Sequence, residues 1–429
     1  MKPKTSVVIT GIGPLCSLGI GKEAVWNGIK SEESSVVKRE FVSDGDSLGS
    51  FYHHPVKNFN ISTFGFDKEI LTWIKDWKNG FEDLDLLYLA AAASLAIKDS
   101  GIQYDLEQNN IGLVTTHENP GLEDFFNLSI ETAFDFLKKD KTADKRSLLN
   151  HMFEKCERLG YDSQSFMYLF FVAKILSIHG FSLFVNNACA SGLYAIETAA
   201  QLIKTDRCKA VVVSGIDRQQ LLYKHLWLKS LNLFAADGVT KPFSKDRNGF
   251  VMGEGGGGLV LEDKSEAEKR GAFIYAEYVG GGFNLECGRV TLPTVEKDYY
   301  VKSIQEALQR SNQKAHGIDW IVPHGIGTRI TDLHEARAIA KVFAGLETFE
   351  TTAFKGYVGH NLGSCALLET AILLMCMKEN HIPKSLNSEP LDPEIKIRIT
   401  TKTVSKKIRT CLKLSCGFAG YNGAIILQR

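Results

Sequence analysis

The chain has 429 residues, 44% apolar and 23% charged, which is the composition of an ordinary soluble globular protein with one large core or two fused ones. Fifty basic residues balance fifty acidic ones, so there is no global electrostatic footprint for nucleic acid or an anionic membrane, and any acidic partner must be held by a local patch. Nine cysteines, scattered without a CxxC pair or ligand spacing, argue against a disulfide framework or a metal site.

Met1 to Thr5 lead straight into an apolar strand, Ser6 to Thr10, with no room for the apolar region of a signal peptide. No stretch reaches transmembrane length, and the reading is a cytoplasmic chain with reduced thiols. Gly11-Ile12-Gly13-Pro14 reads as a tight turn that ends the strand before a helix from Glu23 to Lys30. A dinucleotide site is not expected there, because the third glycine and an acidic end to a second strand are missing. His53 and His54 read as surface loop residues.

An apolar helix from Leu86 to Ile97 and a strand from Ile111 to Thr116 follow. Residues 117–178 then form a long, mostly helical excursion. Its middle gathers Lys138, Lys139, Lys141, Lys145 and Arg146 with Asp140 and Asp144, either a solvated helix end or a docking site for an acidic carrier protein. A strand from Phe181 to Val185 gives way to Asn186-Asn187-Ala188-Cys189-Ala190-Ser191-Gly192. Beyond it, Leu193, Ile196, Ala199, Ala200 and Ile203 recur at helical spacing. A thiol on such a turn faces the positive end of the helix dipole, which favours thiolate and attack on a carbonyl, while small neighbours leave room for substrate. The competing reading is a buried small hydrophobe.

After a strand from Ala210 to Ser214, the run Gly253 to Gly258 enters Leu259-Val260-Leu261. With no Lys-Ser/Thr and a strand in place of a helix, close backbone packing explains these glycines better than a phosphate loop. Strand and helix patterns begin again near residue 265, with strands at Ile274 to Val279, Trp320 to Val322, Leu412 to Ser415 and Ala424 to Leu427. Two α/β halves are expected, 1–265 and 266–429.

His324, after the strand Trp320 to Val322, and His360, in Gly359-His360-Asn361, both sit on glycine-flanked turns that aim a ring at a ligand. Glu369 lies on a helix apolar nearly all round and needs a buried partner, for which Lys355 or an imidazole is available. Gly417 and Phe418, in Ser415-Cys416-Gly417-Phe418-Ala419-Gly420, offer backbone N–H groups to a developing oxyanion and one aromatic wall.

Taken in order, Val8 to Gly13, Ala188-Cys189-Ala190-Ser191-Gly192, Lys241 to Phe250 with Gly253-Glu254-Gly255, His324 to Thr328 with Asp332 and Glu335, Lys355 with Gly359-His360, and Gly417-Phe418 span nearly the whole chain. In these six motifs it resembles the β-ketoacyl-acyl-carrier-protein synthases, specifically ketosynthase II and the type II polyketide ketosynthases. The resemblance implies a thiolase-like α/β fold, two similar βαβαβαββ halves in a five-layered αβαβα arrangement, usually dimeric. It implies that Cys189 takes an acyl group from the phosphopantetheine arm of an acyl carrier protein, and that His324 and His360 assist decarboxylation of malonyl-carrier protein and hold the enolate. Lys355 and Glu369 match the supporting charged pair. Cys189 and Phe418 supply the oxyanion N–H groups, Phe418 is the gate, and Thr291 and Thr328 join Gly417 as substrate-binding positions. No cofactor or metal is implied beyond the carrier's own arm.

Departures from the family pattern at Pro323, Ile326, Cys365, Ala366, Ala419 and Tyr421 fall in the acyl and pantetheine pockets and point away from ordinary fatty-acid substrates. His334 is similar to the residue in aromatic polyketide ketosynthases that pair with a chain-length-factor subunit. The expectation is a decarboxylative Claisen condensing enzyme of polyketide or polyene synthesis, working as a homodimer or a heterodimer with a homologous chain. The alternatives are a fatty-acid elongation synthase, a non-catalytic chain-length-factor-like subunit, or a carrier-protein decarboxylase or acyl-transfer enzyme.

Overall fold

The computed structural model describes residues 5–429 except 44–45, 79, 81, 104–110, 140–141, 143, 219–221 and 347. Asp140 and Lys141 of the basic cluster therefore lie outside the described residues. One sheet organises the chain. Its strands are β1 (Val7–Cys16), β2 (Ile111–Thr116), β3 (Ser182–Val185), β4 (Ala210–Asp217), β5 (Gly255–Asp263), β6 (Ala276–Leu285), β7 (Trp320–Val322), β8 (Glu350–Thr351), β9 (Thr410–Gly417) and β10 (Tyr421–Gln428). They run in the order β8-β7-β9-β10-β6-β1-β5-β4-β2-β3, with the short Gly19–Ile20 strand paired to β1. The first residues of β1 pair antiparallel with both β5 and β6.

Helices are α1 (Lys22–Ser31), α2 (Leu84–Ser100), α3 (Leu122–Lys139), α4 (Lys145–Asp162), α5 (Ser165–Leu176), α6 (Ser191–Lys204), α7 (Leu222–Ser230), α8 (Tyr299–Arg310), α9 (Arg329–Val342) and α10 (Cys365–Glu379). Side-chain alternation sorts them into layers. Val211 and Val213 of β4 share a core with α6, α10 and the inner faces of β9 and β10, whereas Val212 faces the core of α2 and α5. On the other side Leu412, Leu414, Ala424 and Ile426 pack under α8 and α9. The result is five layers, helix, sheet, paired helices, sheet, helix, as the sequence motifs implied. Within the middle pair, every residue of α10 from Cys365 to Met377 is buried, whereas α6 keeps a polar edge with Glu197, Gln201 and Lys204.

Two sequence expectations are corrected. β1 does not end at Gly11 but continues as strand to Cys16. The glycines serve packing, since a Cβ on Gly11 or Gly13 would lie 2.1 or 2.2 Å from the Ala96 or Ala92 carbonyl of α2. His53 and His54 are buried on the second strand of a hairpin (Val37–Ser43 and Asp46–His54), and burial pushes their imidazoles down to about 4 and about 3. The 117–178 excursion is helical as read, comprising α3, α4 and α5. Among the described residues no helix is long and apolar enough to cross a membrane, and all nine cysteines are unpaired.

Candidate active site

Cys189 stands on a strained turn between β3 and α6. Ala188 takes the left-handed backbone at φ 50°, a conformation a non-glycine residue adopts only when its surroundings impose it. The Ser191 hydroxyl fixes the turn, accepting from the Asn187 N–H at 2.7 Å and donating to the Ala188 carbonyl at 2.5 Å. From the other half, the Ser415 hydroxyl donates to the Cys189 carbonyl at 3.0 Å. The thiol Sγ lies 3.2 Å from His360 Nε2 and is buried.

His360 follows the short helix Lys355–Val358 and Gly359, whose φ of 70° and approach to Val251 O and His54 leave no place for a side chain. Its backbone N–H donates to Val251 O at 2.8 Å, and the Phe250 ring stands edge-on to the imidazole at 5.2 Å. His324 lies at the end of β7. Two α9 carboxylates hold its loop by the backbone: Glu335 accepts from the N–H groups of His324 and Gly325 at 2.7 and 2.8 Å, and Asp332 from those of Gly327 and Phe243 at 3.0 and 2.8 Å. The two imidazoles meet at right angles, centroids 5.3 Å apart.

Behind His324 is a fully buried charge cluster. Lys355 Nζ donates to Glu369 Oε1 and to the His324 carbonyl, both at 2.7 Å, and sits 3.4 Å from His324 Nδ1. Lys413 Nζ donates to Glu369 Oε2 at 2.5 Å and to the Leu414 carbonyl at 2.7 Å. An ammonium has no lone pair to accept with, so Nδ1 of His324 is the acceptor and its ring proton is on Nε2. Lys413 was not singled out in the sequence, although a lysine amid Cys411-Leu412 and Leu414 of an apolar strand is a legible signal.

Electrostatics correct the thiolate expectation. Burial, then Glu118 and Cys365, push the Cys189 thiol well above its ordinary range, and the opposing pull of Lys355 and the Phe418 N–H is weaker. Burial, then Lys355, push both His324 and His360 well below the usual imidazole range. A helix dipole contributes about 0.3–2 kcal/mol, less than the cost of holding a desolvated charge here. Burial therefore favours the uncharged thiol and uncharged imidazoles over an ion pair.

Gly417 brings β9 against this turn, where a Cβ would lie 3.0 Å from the Cys189 nitrogen. Phe418 stands edge-on to Trp227 at 5.8 Å, and the adjoining Ala419 N–H donates to Val290 O at 2.6 Å. Cys189, His324, His360, Gly417, Phe418 and Thr291 line one cavity of about 50 Å³, with Phe250, Leu228, Ile326 and Leu362 as apolar wall. Thr328 is not among the lining residues. It precedes α9, where its carbonyl accepts from Arg247 Nε at 3.3 Å, and Thr331 faces the cavity in its place.

Comparison with known proteins converges on one family. The sequence profile for the β-ketoacyl synthase N-terminal domain matches residues 4–267, and that for its C-terminal domain residues 275–389. The chain is 27% identical over 434 residues to 3-oxoacyl-[acyl-carrier-protein] synthase 2 of Rhizobium meliloti, covering 99% of this chain and 98% of that one. It is equally 27% identical to nodulation protein E of a Rhizobium species, covering 99% of both chains. Among solved structures it superposes on the ishigamide ketosynthase/chain length factor with a TM-score of 0.85 at 24% identity, covering 99% of both chains. A type II polyketide synthase acyl-carrier protein in complex with its ketosynthase gives 0.81 at 23%, again covering 99% of both. With its motifs in order along a thiolase-like fold, the chain belongs to the β-ketoacyl synthase family of acyltransferases.

Proposed function

We propose that this chain catalyses decarboxylative Claisen condensation, joining an acyl group carried on Cys189 to malonyl-acyl carrier protein. The observation that carries the reading is the 3.2 Å approach of Cys189 Sγ to His360 Nε2, with His324 held by Lys355 in the tautomer that presents Nε2–H. As Sγ attacks the acyl thioester, its proton passes to His360, and the N–H groups of Cys189 and Phe418 hold the oxyanion. The carrier's thiolate leaves and takes up a proton from solvent, so that His360 keeps the sulfur's proton on Nε2. Malonyl-carrier protein then enters, and the Nε2–H groups of both histidines donate to its thioester oxygen. The bond to the carboxylate breaks, carbon dioxide departs, and its electron pair remains as the enolate. The enolate attacks the acyl carbonyl, and collapse of the tetrahedral adduct releases Cys189, which regains its proton from His360 Nε2.

Lys355 and Glu369 are positioning residues, Thr291 and Gly417 bind substrate, and Phe418 gates the cavity. No cofactor enters the scheme apart from the carrier's phosphopantetheine. Specialised polyketide or polyene synthesis is supported by Ile326, which lines the Cys189 cavity where Pro323, Cys365, Ala366, Ala419 and Tyr421 do not, and by the type II polyketide synthase ketosynthase among the structural neighbours. The edge strand β3, with Phe181 and Leu183 each 38% exposed, suits pairing with a second copy or a homologous chain-length-factor subunit. The division into halves at about residue 265 belongs to the same proposal.

Intact-protein mass tests it, after incubation with an acyl-carrier protein and then malonyl-carrier protein, with Cys189→Ala alongside. An adduct on Cys189 that disappears as a β-ketoacyl-carrier product forms is the expected result. A modified Cys189 that yields decarboxylation without product would refute condensation, and the absence of any adduct would favour a non-catalytic partner subunit.

A further inference from the structure

A second cavity, of about 360 Å³, lies between the 37–54 hairpin and α7. Its walls are rings: Phe41, Phe51, Tyr52, His225, Phe234 and Phe250. The volume and lining are those of a small-molecule pocket, apolar with a few polar groups to set orientation. Two of those polar groups are cations. Lys38 and Lys229 are exposed lining residues, and neither ammonium has a carboxylate partner among the described residues.

Phe250 is the residue that lines both this cavity and the one around Cys189. It also ends an unbroken series of ring contacts. Phe41 stacks on Phe51 at 4.6 Å, Phe51 meets His225 at 3.6 Å, and His225 stacks on Phe234 at 5.1 Å. Phe234 meets Phe250 at 5.6 Å, and Phe250 meets the imidazole of His360 at 5.2 Å. Ring walls favour a flat, π-rich body over a flexible saturated chain, and two ammoniums without a carboxylate partner among the described residues, Lys38 lying over the Tyr52 ring at 6.0 Å, favour an anionic head.

We propose that this cavity is a second ligand site, for a conjugated or aromatic carboxylate whose head is held by Lys38 and Lys229, and that Phe250 transmits its occupancy to His360. The binding half stands without the condensation reading, and only the transmission rests on Cys189 and His360 acting together.

The full chain is titrated with trans-parinaric acid, a conjugated carboxylate whose fluorescence rises in an apolar site. Saturable binding of one probe per chain is expected, retained after Cys189 is blocked with iodoacetamide. Lys38→Glu combined with Lys229→Glu should weaken it by about tenfold or more, as should replacing the probe by its methyl ester. Circular dichroism and an unchanged rate of Cys189 alkylation without probe establish that the double variant is folded. Non-saturating binding, equal affinity in the double variant, or loss of binding on blocking Cys189 would each overturn the site, the last by placing the probe in the catalytic cavity. Saturating probe should change the alkylation rate of Cys189 in the wild type and leave it unaltered in the double variant. Equal wild-type rates with and without probe would overturn the transmission.

Discussion

Glu369→Gln isolates the buried charges behind His324. The wild-type site holds two ammoniums, Lys355 and Lys413, against one carboxylate, all at most 1% exposed. In Lys355, burial alone would lower the pKa, but the Glu369 carboxylate more than offsets it and the group is held above its ordinary value. The substitution keeps the shape and removes the charge. Taking one partner from a buried pair costs about 3–5 kcal/mol. Part of that loss must depend on pH. Without its carboxylate, a desolvated lysine titrates below its unfolded value of about 10.4. Between the two pKa values the unfolded chain then binds more protons than the folded one, so stability rises with pH by about 1.4 kcal/mol per unit for each such lysine. In the wild type the raised Lys355 pKa makes its contribution fully present below the unfolded pKa and lost only as pH climbs through the folded one, so it is flat near neutrality. Urea unfolding of both proteins at about pH 7 and pH 9, at one protein concentration, should show a large deficit for the variant that shrinks by up to about 3 kcal/mol over that span from Lys355 alone. A deficit under about 1 kcal/mol, or one equal at both pH values, would refute the view that Lys355 depends on Glu369 for its charge.

Three further outcomes follow from the same geometry. Alkylation of Cys189 by iodoacetamide should accelerate with pH through the ordinary thiol range and beyond, because burial raises this thiol and lowers His360; a plateau near neutrality would show a preformed thiolate–imidazolium pair. Gly417→Ala places a Cβ 3.0 Å from the Cys189 nitrogen, and should cost about 10²-fold or more in condensation by displacing an oxyanion donor, with unfolding little changed; wild-type turnover would remove that N–H from the mechanism. His360→Ala should impair malonyl decarboxylation more than acyl loading when each is followed by mass, and the opposite order would reverse the assigned roles.

Cys189, His324 and His360, which the fold brings together, stand out in sequence because each occupies a turn with an unusual local signature, a cysteine among small residues or an imidazole beside glycine. Lys355 and Glu369 were legible as charges that an apolar context obliges to find a partner. Other parts were hidden for physical reasons. In the central strands both faces are buried, so Val211 and Val212 look alike in sequence though they belong to different layers. The cavity wall brings together Leu228, Phe250, Ile326 and Leu362 from distant segments, a product of tertiary packing that no local period records. His53 and His54 look like loop polarity and are buried strand residues. The expectation of a Cys189 thiolate is opposed by burial, because a dipole argument is local, whereas desolvation is a property of the completed fold.

Strand β5 begins with four glycines, and its neighbours approach to backbone distance on both sides. A Cβ on Gly256 would lie 2.0 Å from the Gly215 carbonyl, one on Gly258 2.1 Å from that of Ala92, and one on Gly257 3.2 Å from Leu367 of α10. Layer spacing in most domains is set by side chains, which repack when a neighbour changes. Here it is set by peptide groups, which have no alternative rotamer. Gly215 belongs to the adjacent strand β4 and Ala92 to the outer helix α2, so it is at Gly257 that the sheet and middle helix α10 meet at backbone distance and form a hard stop. Because α6 starts just after Cys189 and α10 just after His360, the gap between sulfur and imidazole inherits that stiffness, and drift elsewhere in the core leaves it nearly untouched.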